Sequence, residues 1–220
     1  MGKDAELINI SGARGSGKTT RQIELIDGLD RVIVLDPIGT FKAAGFTKVG
    51  SLPSMYRKIK EGWHSGFRIY FHTPPSQIAC TEIMKRLSRD LFKIQKPYYE
   101  DRDDRKITLV IDEAHKFFPN RQMSPEDQEP LEDIIALGRH YGIEMIAATQ
   151  RLAKLWTEYR GNSTQAYYFM QGSSADYNAV LSMIGNEHRE ALRELNVHDY
   201  LHGRGMDVNK SRNNCNWERK

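Results

Sequence analysis

The chain has 220 residues, enough for one α/β domain with a sheet covered on both faces and too few for two full catalytic domains. Its 32 Lys and Arg against 29 Asp and Glu leave a net charge of +3, which permits a local basic surface without making the chain a polycation. The two cysteines, Cys80 and Cys215, form no C-x-x-C pair, so neither a zinc ribbon nor a disulfide framework is indicated; with no signal-peptide core and no apolar run of membrane-spanning length, a cytoplasmic protein without an integral membrane segment is expected.

From the amino end, residues 6–10 (ELINI) read as a short apolar strand, followed by ISGARGSGKTT at 10–20. That stretch holds Gly12, four residues, then Gly17-Lys18-Thr19, the G-x-x-x-x-G-K-[ST] pattern. Glycines let successive backbone N–H groups curl around phosphate oxygens, so Gly12, Ala13, Arg14, Gly15, Ser16, Gly17, Lys18, Thr19 and Thr20 are the expected ATP contacts. Lys18 would reach the β- and γ-phosphates and Thr19 would offer its hydroxyl to Mg²⁺. The residues that follow, with Ile23, Leu25, Ile26 and Leu29 on one face, complete the required order of strand, loop and helix.

Strands are then expected at 31–37, 67–73, 107–112, 143–149 and 166–171, with helices around 54–66, 76–95 and 126–141 between them. The charged connector 96–106 reads as a solvated loop, and 209–220 as a basic, loose tail beyond a single domain spanning 1–208. No internal repeat is evident. Alternating strands and helices predict a mostly parallel sheet sandwiched by helices, with ligands at the carboxyl ends of the strands.

ITLVIDEAHKFFP ends a strand in Asp112-Glu113. Asp112 is placed to hold Mg²⁺ directly or through water, and Glu113 to polarise a water attacking the γ-phosphate, which favours an ATPase over a nucleotide kinase. His115 follows the pair and is placed to touch the site, although a structural role suits it better. Gln150, at the end of the next strand, puts a neutral amide where it can sense the γ-phosphate. Arg139, before that strand, suits an arginine finger for a neighbouring subunit and equally suits an ordinary cation at a helix carboxyl end; Arg151 is the rival finger.

LVIDEAHKFFP, LEDIIALGRHYGIEMIAATQRLAKL and GNSTQAYYFMQGSSADYNAVLSMIG resemble, in order and spacing, the FtsK/HerA superfamily of DNA-pumping ATPases, and RVIVLDPIGTF is similar to that family's second strand. The resemblance covers residues 6–185. It implies a RecA-like P-loop NTPase of the additional-strand, catalytic-glutamate type, working as a hexameric ring around double-stranded DNA. It carries over Lys18, Thr19, Asp112, Glu113, Gln150 and Arg139. Without the barrel, membrane helices or winged helix of larger members, the chain resembles the genome-packaging ATPases of tailless icosahedral viruses with an internal membrane, which implies a capsid-vertex or portal partner.

A translocase needs phosphate contacts on pore-facing loops. The segment 116–130 offers Lys116 and Arg121; the segment 151–164 offers Lys154 and Arg160 with Trp156 between them. Each loop reads equally as a subunit interface or plain surface. Alternative functions are a small-molecule phosphotransferase, a HerA-like DNA-transfer ATPase of a mobile element, and a nucleotide-gated assembly factor. His198 and His202 are spaced to share a helix face, without a third ligand. Packing accounts for the tyrosine pairs at 98–99 and 167–168.

Overall fold

The computed structural model describes residues 5–41, 45–205 and 207–214. In chain order they form β1 (Leu7–Ser11), α1 (Lys18–Leu25), β2 (Arg31–Asp36), β3 (Thr47–Val49), α2 (Leu52–Glu61), β4 (Phe67–His72), α3 (Gln77–Ile94), α4 (Lys96–Tyr99), β5 (Ile107–Ile111), α5 (Pro125–Leu137), β6 (Ile143–Thr149), α6 (Thr157–Gly161), β7 (Gln165–Phe169), α7 (Ser174–Ile184), α8 (Arg189–Arg193), β8 (Asp199–Arg204) and β9 (Asp207–Arg212). One sheet contains all nine strands in the order β3-β4-β2-β5-β6-β1-β7-β8-β9.

The pairs from β3 to β7 are parallel, and the last two pairings, β7 with β8 and β8 with β9, are antiparallel. Parallel strands covered on both faces are apolar throughout rather than alternating, and β1 and β5 are buried at every position. One core, centred on Leu35, Leu109, Ile111, Met145, Phe117 and Phe118, fills one face of the sheet; the other, with Ile10, Ile26, Val34, Val110 and Phe169, lies under α1. The register sets Leu35 beside Ile111, Ile111 beside Ala147, and Ser11 beside Thr149. The residues just past these strands therefore converge on one rim.

Helix starts follow local chemistry. Ser124 caps α5, its hydroxyl accepting from the Asp127 N–H at 3.3 Å, and Pro125 opens the helix where its missing N–H costs nothing. Ser173 caps α7 in the same way, accepting from the Asp176 N–H at 3.2 Å.

The expected strands and the mostly parallel sheet are present, and the differences have physical causes. Within the connector read as a loop, Lys96–Tyr99 turn as a short helix because Tyr98 is buried and Tyr99 stacks on Tyr141 at 4.6 Å. The stretch read as a loose tail from 209 is ordered as far as Asn214: its first residues lie in β9, paired along β8, and Asn213 is buried. Residues 215–220 lie outside the described residues. His198 and His202 share no helix face, since His202 is in β8, stacked on Tyr167 at 4.5 Å, and His198 occupies the turn before it. No helix among the described residues is long and apolar enough to cross a membrane.

Candidate active site

The phosphate-loop sequence leaves β1 at the shared rim and turns into α1. Gly12 donates to the Thr149 carbonyl at 3.2 Å and Ala13 to that of Met170 at 2.7 Å, so the loop is tied to the strands on both sides. A Cβ at Gly12 would lie 2.6 Å from Phe169 Cβ and 2.7 Å from Ser16 Oγ, which only glycine avoids. Gly17 has φ of 113° and starts the helix. Ser16 Oγ is buried without a hydrogen-bond partner among the described residues, as expected of a hydroxyl in a cradle for an anion. Lys18 Nζ donates to the Ala13 carbonyl at 2.8 Å, folded over its own loop. Burial pulls the Lys18 pKa down, while the Glu113 and Asp112 carboxylates oppose the shift.

Asp112 follows β5, buried, and accepts from Thr40 Oγ1 at 3.4 Å. Burial, then the neighbouring charges of Glu113 and Asp36, push its pKa up to about 7. A buried carboxyl crowded by negative charge, with the Thr40 hydroxyl beside it, suits a hard divalent cation. Among the described residues no His, Cys, Asp and Glu cluster could hold a metal by itself.

Glu113 adopts a left-handed backbone, φ 49° and ψ 48°, at the start of a 3₁₀ turn over Ala114–Lys116. Its Oε1 accepts from Gln150 Nε2, and its Oε2 lies 3.3 Å from His115 Nδ1. Burial raises its pKa, but His115, Lys18 and Gln150 outweigh that and hold the carboxyl below its ordinary value. His115 Nδ1 also lies 3.0 Å from Thr149 Oγ1, so it links the carboxylate strand to the strand carrying Gln150. The structure thus gathers Lys18, Thr19, Asp112, Glu113 and Gln150 on one rim and adds His115, which the sequence places after the carboxylates and which here contacts Glu113 itself.

Asp36 is a second residue that went unassigned, since Asp36-Pro37 signalled only the end of a strand. Fully buried, it accepts from the N–H groups of Ile38, Gly39 and Phe41, each at 2.8 Å, and from Tyr70 Oη at 3.1 Å. The aspartate followed by Pro-x-Gly was the available turn signal. It shapes the loop that brings Thr40 to Asp112.

Arg139 lies at the opposite rim. It belongs to the 3₁₀ turn Gly138–Tyr141 before β6 and lines a cavity of about 180 Å³ with Glu6, Leu7 and Ile143. The seven residues of β6 put roughly 20 Å between that rim and Gln150, so Arg139 does not reach its own loop. It is exposed beside Leu137, which is 45% exposed, and forms no ion pair among the described residues. The rival Arg151 is engaged in its own chain, with Nε 3.3 Å from Asp176 Oδ2.

The two loops considered for DNA contact pack against each other. Pro119 and Leu155 form a β-bridge, Asn120 N–H donates to the Lys154 carbonyl at 2.9 Å, and Trp156 N–H donates to that of Phe118 at 2.9 Å. Arg121 and Lys154 are exposed on this pair of loops; Lys116 is half-buried and donates to the Pro75 carbonyl at 2.8 Å. Trp156 is buried, so it offers no stacking platform, and Arg160 is half-buried beside Tyr168, its pKa lowered by burial.

The model of the zonular occludens toxin (Zot) family matches residues 7–175. No curated protein matches the chain. Among solved structures, the genome packaging NTPase B204 from Sulfolobus turreted icosahedral virus 2, in complex with ATP-gammaS, superposes with a TM-score of 0.68 at 17% identity, covering 96% of this chain and 98% of that one. VirB4 of Thermoanaerobacter pseudethanolicus gives 0.62 at 14% identity over 97% of this chain and 91% of that one. The pCW3 conjugation coupling protein TcpA gives 0.62 at 18% identity over 96% of this chain and 60% of that one. The expected P-loop NTPase fold is borne out, as is the resemblance to packaging ATPases at the level of fold.

Proposed function

We propose that this chain, a P-loop ATPase belonging to the zonular occludens toxin (Zot) family, hydrolyses ATP with Mg²⁺ and uses the energy to move double-stranded DNA through a homo-hexameric ring of the FtsK/HerA type. The observation that carries hydrolysis is the contact of Gln150 with Glu113 beside the phosphate loop. Glu113 takes a proton from a water as that water's oxygen bonds to the γ-phosphorus, and the bond from the γ-phosphorus to the bridging oxygen breaks to leave ADP and phosphate. Lys18 leaves the Ala13 carbonyl to neutralise the phosphates. Thr19 and Asp112 would hold Mg²⁺, which would supply positive charge against the phosphates. The polarising role of Glu113 disfavours transfer to a small-molecule acceptor.

Gln150 turns from Glu113 to the γ-phosphate, and the loops after Glu113 and Gln150, bridged at Pro119 and Leu155, move together with Arg121 and Lys154 toward the DNA backbone. Arg139 serves as the finger for the neighbouring subunit. The B204 likeness supports a genome-packaging role, which in our reading is exercised at a capsid vertex or portal within the host cytoplasm; the TcpA likeness supports a second reading, a DNA-transfer ATPase of a mobile element. The test is steady-state ATP hydrolysis with and without double-stranded DNA, with Glu113→Gln as blank. DNA stimulation that disappears in the variant is expected; turnover indifferent to DNA overturns the translocase reading.

A further inference from the structure

The phosphate loop is held from outside by the far end of the chain. His198 N–H donates to the Ser16 carbonyl at 2.9 Å, and Asn213 Nδ2 donates to the Gly17 carbonyl at 2.8 Å across 196 residues of sequence. Asn213 N–H closes the pair by donating to the His198 carbonyl at 3.0 Å. Both residues flank the hairpin of β8 and β9, one before it and one after it. Their side chains press on the loop: a Cβ at Gly17 would lie 2.8 Å from Asn213 Nδ2 and 2.9 Å from His198 Nδ1.

A trans peptide is planar, with its C=O and N–H pointing in opposite directions. Pinning the Ser16 carbonyl to the hairpin therefore turns the Gly17 N–H to the other side; the Gly17 carbonyl, which also accepts the first helical bond from the Arg21 N–H at 3.0 Å, takes Asn213 as a second donor, and together they turn the Lys18 N–H the same way. These are amides that a phosphate-binding loop must present together.

We infer that the carboxy-terminal hairpin braces the phosphate loop in its anion-binding conformation, with Asn213 as a positioning residue for nucleotide affinity. The inference rests on the reading that this loop binds ATP. Losing one pin lowers the fraction of loops ready to bind, and apparent affinity falls by that fraction.

The experiment compares wild type, Asn213→Ala, Asn213→Asp and the exposed β9 control Ser211→Ala, using a fluorescent ATP analogue with Mg²⁺ for binding and ATP for turnover. Asn213→Ala should bind about 5-fold more weakly, the effect of one ordinary hydrogen bond. Asn213→Asp, similar in size but without the donor and facing the carbonyl with a carboxylate, should lose more. Ser211→Ala should match wild type. KM for ATP should rise in step with the loss of binding while kcat stays within about 2-fold, because Glu113 and Gln150 lie just past the ends of other strands. A purely structural role would lower the melting temperature and leave affinity and KM unchanged in the folded protein, and that result would overturn the brace. Wild-type binding with undiminished affinity in Asn213→Asp would overturn it even if the alanine variant failed to fold. No binding by wild type would remove the nucleotide reading itself, and the brace with it.

Discussion

Replacing Asp112 by Asn should make the nucleotide-free protein more stable while ending its hydrolysis. Asp112 is buried, with a pKa of about 7 against an ordinary value of 3.8, so its ionised form is disfavoured in the fold. Stability from this group is fully present below the unfolded pKa, is lost as pH rises from there to about 7, and falls no further above that. Fully expressed, the difference is about 4 kcal/mol, from 1.36 kcal/mol per pKa unit. A rim that water can enter would retain about half, or roughly 2 kcal/mol, which corresponds to about 4–8 °C in Tm for a chain this long. The assay is thermal unfolding of both proteins in EDTA without nucleotide at pH 8 and pH 5. The variant should melt higher at pH 8, and its advantage should shrink by more than half at pH 5. An advantage independent of pH, or a variant that melts lower at pH 8, would refute the reasoning.

Lys18→Ala should remove nucleotide binding, whereas Glu113→Gln should retain it and lower kcat by about 10²-fold or more; binding and single-turnover measurements separate the two. His115→Ala should lower kcat about 10-fold with little change in KM, because it frees Glu113 without touching the loop, and unchanged kcat would reject that link. Mixing Arg139→Ala with Glu113→Gln subunits should recover some hydrolysis as heterologous sites form, and no recovery at any ratio would remove Arg139 as a finger. Phe118→Ala, which empties a fully buried site beneath the bridged loops, should cost about 3–5 kcal/mol in chemical denaturation.

The parallel core was legible because central strands buried on both faces are written as unbroken apolar runs, and the loop, Asp112-Glu113 and Gln150 each close such a run. The carboxy-terminal hairpin was not. β9 reads DVNKSR, with hardly an apolar residue, because it is an edge strand held by backbone pairing to β8 rather than by burial. The same limit hid the brace: Asn213 acts on a carbonyl near the other end of the chain, and no local pattern records that contact. Trp156 misled for the converse reason. A tryptophan between cations looks available to DNA in sequence, yet the Phe118 carbonyl and Pro119 fix its segment against the core, where the indole is buried. For His115 the sequence offered only its place after the carboxylate pair, since its value lies in reaching from one strand's end to the hydroxyl at the end of another.

The placement of Arg139 on the rim opposite the phosphate loop has a consequence for control. If that arginine completes a neighbour's site, each subunit holds two unlike halves of a catalyst and no intact copy. Turnover per chain would then rise with protein concentration and collapse on dilution, so newly made, unassembled chains would idle without an inhibitor. The off switch would be mass action alone.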